Sequence, residues 1–320
     1  MSPSSLNKKL PSTSQPDIAG VIAVDKPQNI TSAKVVACVK RLLDARKVGH
    51  AGTLDPFAQG VLVCCINDAT RLARFLLAGD KTYEATLKLG IETDTQDSTG
   101  TVTAESRGVD FAENTIRSAV KQFEGRIEQQ PPVFSALKHK GTPLYKLARR
   151  GSPVQKPART VYISSIKILE IKLPLVRFKV SCSAGTYIRT LCADMGKQLG
   201  CGGHLHALRR VESSGFRIQQ AISLPALEKR VRAGDYSSFI VSMADALTGM
   251  PAVVADADLI EKIRHGKPVT KKDLSFDPVS VKRNRHTANI KVVDAGNRLL
   301  AVLNNMKNQD IFSYACVFPN

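Results

Sequence analysis

The sequence predicts an α+β fold in two parts: a large domain on a mixed, mostly antiparallel sheet flanked by helices, and a small β-rich C-terminal unit. Three observations carry this. Segments such as KTYEATLKLGIETDT alternate apolar and polar residues with the period of two that a half-buried strand requires. Helical stretches interrupt such segments without the regular beat of a doubly wound parallel sheet. At 320 residues and 43% apolar content, the chain exceeds one usual domain and can fill a substantial core.

The elements follow in order. The start, MSPSSLNKKLPSTSQPD, lacks the apolar centre of a signal peptide and reads as a disordered polar tail over residues 1–16. AGVIAVDKP is a short strand closed by a turn. ITSAKVVACVKRLLDAR then gives a helix, with Thr31 or Ser32 placed to cap it and an apolar stripe at Val35, Val36, Val39, Leu42 and Leu43. GVLVCCIN is a buried strand, ATRLARFLLAGD is helical, and the alternating strand from Lys81 follows. Residues 101–120 read as a strand end and a helix. TVYISSIKILEIKLP and LVRFKVSCSAG read as paired strands, GTYIRTLCADMGKQLG opens a helix after its glycine, and CGGHLHALRRVESSGF returns as a strand. This large domain takes residues 17–248. The unit at 249–320 holds a helix in DADLIEKIRHG, a polar stretch with KRNR, and strands in ANIKVVDA and RLLAVLN joined by a turn at Gly296-Asn297.

Charge points to the partner. Lys and Arg number 46 against 28 Asp and Glu, a formal balance of +18 that speeds encounter with polyanions, so nucleic acid is the first partner to consider. The excess is concentrated: from Lys138 to Arg159 there are seven Lys or Arg and no acid, with Gly141, Pro143, Gly151, Pro153 and Pro157 among them. That composition predicts a mobile, cationic insertion over about 130–157, suited to phosphate contacts with stacking on Tyr145. The seven cysteines show no C-x-x-C pair and no histidine at metal-ligand spacing, which argues against a zinc site or disulfide framework and fits reduced thiols in a cytosol. No run approaches the roughly 18 apolar residues of a membrane span.

One stretch stands apart. GHAGTLDPFAQG places a single carboxylate, Asp55, before a proline that pushes it toward extended backbone, with Gly49, Gly52 and Gly60 permitting sharp turns and close approach to a ligand. Alone, this is compatible with an ordinary turn. Other groups suit the same chemistry: KTYEA supplies Tyr83, a flat face for a base plus a phenol, and GTYIRT supplies Tyr187 and, two residues on along the same strand face, Arg189. A guanidinium beside Asp55 in a buried pocket would hold the carboxylate ionised, as a nucleophile requires.

Taken together, DKPQNITSAKVV, GHAGTLDPFAQGVL, ATRLARFLLAGDKTYEA, LGIETDTQDSTG, QQPPVFSALKHKGTPLYKLARRG, CSAGTYIRT and LGCGGHLHALRR resemble, in order, the motifs of bacterial tRNA pseudouridine synthases of the TruB type, from about Gly20 to Phe216. The resemblance implies a pseudouridine-synthase fold and isomerisation of the T-loop uridine, tRNA position 55, in a basic cleft that takes the flipped base. It implies that Asp55 attacks the nucleoside at C1′ or C6, that Tyr83 packs on the base and accepts a proton, and that Arg189 pairs with Asp55. By the same resemblance His50 fills the gap left by the flipped nucleotide, Tyr187 and Leu208 line the uridine pocket, and the insertion with Lys138, Lys140, Lys146, Arg149 and Arg150 folds over the T arm. No cofactor or metal is implied, because the leaving uracil is itself the nucleophile for reattachment. The implied setting is a cytoplasmic monomer without an obligate protein partner, and the C-terminal unit resembles a PUA-type RNA-binding barrel. Asn29 stands where the family commonly has glycine, but asparagine tolerates positive φ; Phe57 and Gln59 replace the frequent Leu and Thr. Two rivals are a guide-RNA-dependent synthase, which TDTQDSTG and PPVFSALKHKG disfavour, and a non-catalytic tRNA-binding or tRNA-folding protein.

Overall fold

In the computed structural model, which describes residues 18–106, 108–274, 289–304 and 310–318, most expected strands of the large domain join one ten-stranded sheet, while Val102–Glu105 pairs with Ile91–Thr93 in a separate two-stranded one. Its main path runs Ile222–Ser223, Gly20–Lys26, Gln59–Ile66, Gly203–Ser213, Lys81–Leu89, Leu175–Cys182, Arg159–Lys172 and Gly125–Gln129. Pairing along it is antiparallel except where Ile222–Ser223 meets Gly20–Lys26 and where Gln59–Ile66 meets Gly203–Ser213. The second parallel contact spans only the pairs Arg209 with Gln59 and Arg210 with Gly60, so these strands diverge at the middle of the sheet. The tail and the KRNR stretch lie outside the described residues.

Local sequence explains most elements. Lys81–Leu89 alternates in burial residue by residue, putting Tyr83, Ala85, Leu87 and Leu89 on one face. Thr31, in extended conformation, caps the helix Ser32–Leu42 by accepting from the Lys34 amide at 3.1 Å. That helix turns Val35, Val39 and Leu42 onto Ile22, Leu62 and Cys64, with Leu227 and Val231 of Leu224–Arg232 beside them. Each such buried aliphatic side chain stabilises the fold by about 1.5–3 kcal/mol. Farther along, Ile116 and Val120 of Glu113–Lys121 and Ile188, Leu191 and Met195 of Ile188–Gln198 cover Leu87, Val176 and Phe178. The free thiols of Cys64, Cys65, Cys182, Cys192 and Cys201 are buried and act as small hydrophobes.

The C-terminal unit forms a five-stranded sheet in the order Ala252–Val254, Asn289–Val293, Leu299–Asn304, Ile311–Val317 and Val269–Thr270, with the helix Ala257–Arg264 packed on it. This is the small β unit expected of a PUA-like module. It shares a core with the large domain: Leu299, Val302 and Phe318 meet Val61, Val63, Leu72 and Leu76.

Candidate active site

Asp55 lies in the loop between Val48–His50 and Gln59–Ile66, two antiparallel strands at the middle of the sheet. Backbone contacts fix this loop. Asn29, at φ 62, donates its amide to the Pro56 carbonyl at 2.8 Å, so the asparagine in the glycine position keeps the left-handed turn and docks it on the Asp-Pro corner. Ser32 brackets Leu54, its hydroxyl donating to the carbonyl and accepting from the amide, both at 2.9 Å. Gly52 and Gly60 have φ values of 118 and 103, and a Cβ on Gly60 would collide with the Arg210 backbone. The close approach expected at Gly60 is therefore to protein backbone rather than to a ligand. Gly49 has ordinary strand surroundings, its nearest neighbour for an added Cβ being Thr70 at 3.8 Å, so no sharp turn depends on it.

Two buried cations complete the frame, and neither stood out as a site residue in the sequence. Lys26 is 0% exposed, and its ammonium donates to the carbonyls of Pro27, Pro56 and Ala58 at 3.0, 3.1 and 2.6 Å. Burial pushes its pKa down to about 8, against the pull of Asp55. Arg210 is 1% exposed and donates to the carbonyls of Val61 at 2.7 Å and Gly52 at 2.9 Å.

Asp55 opens onto a cavity of about 580 Å³, and Tyr83, Tyr187, Arg189 and Leu208 line the same cavity, together with Arg74, Lys81, Arg159 and Arg210. Arg189 Nε stands 3.0 Å from Asp55 Oδ2, and Nη1 stands 3.6 Å from Asp97 Oδ2. Its Nη1 also donates to the Thr95 carbonyl at 3.0 Å and Nη2 to the Phe134 carbonyl at 2.9 Å. One buried guanidinium thus ties the Asp55 loop to the TDTQD segment and to the start of the basic insertion. Asp97 is held in turn: its Oδ1 accepts from the Thr95 hydroxyl at 2.8 Å, the Thr99 amide at 2.9 Å and the Thr99 hydroxyl at 2.6 Å.

Tyr187 and Arg189 do not share a strand face. Tyr187 is the extended residue that precedes the helix Ile188–Gln198, and Arg189 belongs to its first turn. The strand-forming look of GTYIRT is overridden because Ile188, Leu191 and Met195 must turn onto the sheet at helical spacing. The backbone of Tyr187 is set by Gln129, whose side chain accepts from its amide at 2.7 Å and donates to its carbonyl at 3.0 Å.

The electrostatics qualify the expected ionisation of Asp55. Surrounding protein desolvates the carboxylate and pushes its pKa above the ordinary carboxylate range; Arg189 and Lys26 pull it back, while Asp97 adds to the rise. Its side chain keeps 36% exposure, toward the cavity. Tyr83, 8% exposed, is also pushed up by burial, which holds the phenol neutral. His50 is not among the residues lining the cavity. It pairs with Cys64 in the strand Val48–His50, and its buried Nδ1 has no hydrogen-bond partner among the described residues. Burial, then Arg210, lowers its pKa.

The basic insertion begins at the cavity wall with Ser135, Ala136 and Leu137. In the segment that composition marked as a mobile, cationic insertion, Lys138–His139 pairs with Thr142–Pro143 and the helix Leu144–Arg149 follows. Lys140 at φ 46 and Gly141 at φ 82 make a two-residue turn with positive φ at both positions, the geometry that suits a tight hairpin. Leu144, fully buried, anchors the segment, and the Arg149 guanidinium lies 5.7 Å above the Tyr145 ring. Lys138, Lys140, Lys146, Arg149 and Arg150 are not among the cavity-lining residues. Of the two departures at the loop, Phe57 packs into the core, and Gln59 joins Gln28 at 3.2 Å and Arg209 at 3.1 Å. Among the described residues no cluster of three or more His, Cys, Asp or Glu is placed to hold a metal ion, and no helix is long and apolar enough to cross a membrane.

A basic cavity centred on one carboxylate, in a mixed sheet with an appended β unit, is an arrangement with known counterparts. A crystal structure of a Cbf5-Nop10-Gar1 complex contains a chain of the same fold, with a TM-score of 0.73 and 29% identity over 94% of this chain and 85% of that one. The family model for the N-terminal domain of TruB family pseudouridylate synthases matches residues 40–188, and that for the tRNA pseudouridylate synthase B C-terminal domain matches residues 189–248. Proteins named tRNA pseudouridine synthase B are 45% identical in Geobacter sulfurreducens, over 80% of this chain and 84% of that protein, and 41% identical in Burkholderia mallei, over 88% and 92%. The chain belongs to the TruB family of pseudouridylate synthases.

Proposed function

We propose that this protein isomerises the T-loop uridine of tRNA, position 55, to pseudouridine, acting in the cytoplasm as a monomer without guide RNA or an obligate protein partner. The observation that carries the reading is the convergence of Asp55, Tyr83, Tyr187, Arg189 and Leu208, far apart in sequence, on one cavity of about 580 Å³, a volume suited to a single nucleotide. The 45% identity to a protein named tRNA pseudouridine synthase B supports the stand-alone enzyme over the guide-dependent kind.

The proposed division of labour assigns a role to each part of the chain. Residues 17–248 form the catalytic domain, 249–320 a PUA-like RNA-binding unit, and the insertion at about 130–157 lies over the T arm. Flipping the uridine out costs a few kcal/mol of stacking, offset by Tyr83, Tyr187 and Leu208 around the base and by His50 in the space it leaves. Asp55, ionised, attacks the nucleoside at C1′ or C6. The N1–C1′ bond breaks and uracil departs with the electron pair. The ring rotates, C5 bonds to C1′ and the bond to the Asp55 oxygen breaks, which frees the carboxylate; the C5 proton is lost and N1 gains one, so substrate and product are isomers. Arg189 and Lys26 stabilise the carboxylate against its desolvation. Because burial disfavours the Tyr83 phenolate, Tyr83 accepts a proton only as it hands on its own hydroxyl proton.

Incubating the purified protein, without guide RNA, with an unmodified tRNA transcript and mapping pseudouridine chemically tests this reading. Product at the T-loop uridine alone is expected. Tight binding without product would move the assignment to a tRNA-folding protein, and product only after addition of a guide RNA would assign the rival synthase.

A further inference from the structure

A second cavity, also of about 580 Å³, lies against the first across the helix Ala73–Ala78. One side of it is built from the large domain, with Asp80, Thr82 and Glu212, and the other from the C-terminal unit, with Asn289, Asn304 and Ala315. Arg74 and Ala78 line both cavities, so the exposed side of this helix is a ridge between them.

The ridge is held from the C-terminal side. Arg71 Nη1 donates to the Val317 carbonyl at 2.7 Å, and its guanidinium lies 5.8 Å above the Phe318 ring. Arg74 Nη2 donates to the Ala315 carbonyl, and its guanidinium lies 4.8 Å above the Phe75 ring. Beneath them Leu72 and Leu76 pack with Leu299, Val302 and Phe318 of the C-terminal unit.

Among the Lys and Arg residues lining the Asp55 cavity, Arg74 is exposed, whereas Lys81, Arg189 and Arg210 are buried and Arg159 is half-buried. Arg189 serves two carboxylates and two carbonyls. Lys81 donates to the carbonyls of Leu77 and Gly79, and Arg210 to those of Gly52 and Val61. Arg159 donates to the Gly185 carbonyl and lies 5.1 Å above the Tyr187 ring. Arg74 is exposed, and it hydrogen-bonds the Ala315 carbonyl and the Cys316 side chain, which leaves part of a group with five N–H donors facing solvent. A guanidinium with donors to spare, on a ridge beside a cavity that takes a nucleotide, matches the bidentate geometry of a phosphate.

We propose that Arg74 binds an RNA phosphate flanking the nucleotide in the Asp55 cavity, and that the C-terminal unit, through the Ala315 and Val317 carbonyls, sets where that guanidinium stands. The C-terminal unit then acts on substrate binding through the cavity wall as well as through its own surface. This rests on the reading that RNA enters the Asp55 cavity.

The test is a double-mutant cycle on the full chain, measuring tRNA Kd over a salt series, KM and kcat separately, and thermal unfolding. Arg74→Ala should raise Kd and KM about tenfold, leave the saturating rate unchanged, and make the salt slope shallower by about 0.7–0.9. Arg74→Lys should keep the slope without recovering full affinity. Arg71 lines neither cavity, so Arg71→Ala should weaken binding only through Arg74: partly in the wild-type background and not at all in the Arg74→Ala background. An unchanged Kd and slope in Arg74→Ala, or strictly additive effects of the two substitutions, would overturn the proposal. So would a lowered unfolding midpoint with unchanged affinity, which would leave both arginines as domain fasteners alone. A wild-type protein that binds tRNA but forms no pseudouridine would sink the functional reading instead, and the Kd and slope comparisons would still decide the role of Arg74.

Discussion

Asp97→Asn probes the carboxylate pair around Arg189 from the side that does not meet substrate. Asp97 Oδ2 faces Arg189 Nη1 at 3.6 Å, and both side chains are only 5% exposed, so the attraction is poorly screened. At the effective dielectric of about 20 that suits such sites, the gross Coulomb energy is about 4–5 kcal/mol, and breaking a buried pair costs about 3–5 kcal/mol. Asparagine keeps the carbonyl oxygen that serves Thr95 and Thr99 but turns an amide against the guanidinium. Because Arg189 retains Asp55, the low end applies, a loss of about 3 kcal/mol measured by urea unfolding. The same substitution removes a negative charge that pushes the Asp55 pKa up. Asp55 must be ionised to attack, so the rate falls as pH drops through its pKa, and in Asp97→Asn this acid limb should move to lower pH. Single-turnover rates over pH 4–8 read the limb. A variant as stable as wild type, with the limb unmoved or shifted upward, would refute the proposed coupling among Asp97, Arg189 and Asp55.

Other outcomes follow from the same geometry. Gly60→Ala should cost about 2–5 kcal/mol, combining left-handed strain with a collision against the Arg210 backbone, whereas Gly49→Ala should stay within about 1 kcal/mol; equal unfolding midpoints would contradict this. Asp55→Asn should unfold at the same or a higher temperature at pH 7. The folded-state pKa of Asp55 is raised, so its ionised form is held at a cost at pH values above that pKa, and a clear loss of stability would contradict the assigned direction. Neutralising Lys138, Lys140, Lys146, Arg149 and Arg150 together should weaken tRNA binding and flatten its salt dependence by about 0.7–0.9 for each phosphate no longer neutralised, while an unchanged slope would mean a merely solvated face.

What the sequence makes legible is mostly local. The alternation of Lys81–Leu89, the Thr31 cap and the positive φ of Asn29 are properties of a few neighbouring residues, and each appears as expected. The cationic frame of the site is different. Lys26 meets Ala58 across 32 positions and Arg210 meets Val61 across 149, and a Lys or Arg side chain carries no mark in the sequence of where its donors end. Strand pattern fails at Gly203–Ser213 as well, because register shifts between Leu205 and Ala207 and between Arg210 and Glu212 break the alternation that would have marked Arg210 as inward-facing. The DKP motif did hold one readable hint, a lysine placed between an apolar run and a proline. In the insertion, Lys140-Gly141 supplies a hairpin turn without the Asn-Gly or Asp-Gly signature, so the ribbon carried no strand signal in the sequence.

The most direct test of the central claim compares wild type with Asp55→Asn on one unmodified tRNA transcript, under single-turnover conditions with saturating protein, by mapping pseudouridine in the T loop. Wild type should convert the T-loop uridine, and the variant should bind the transcript with similar affinity and form no product. Product from Asp55→Asn would contradict the assignment of that carboxylate as the attacking group.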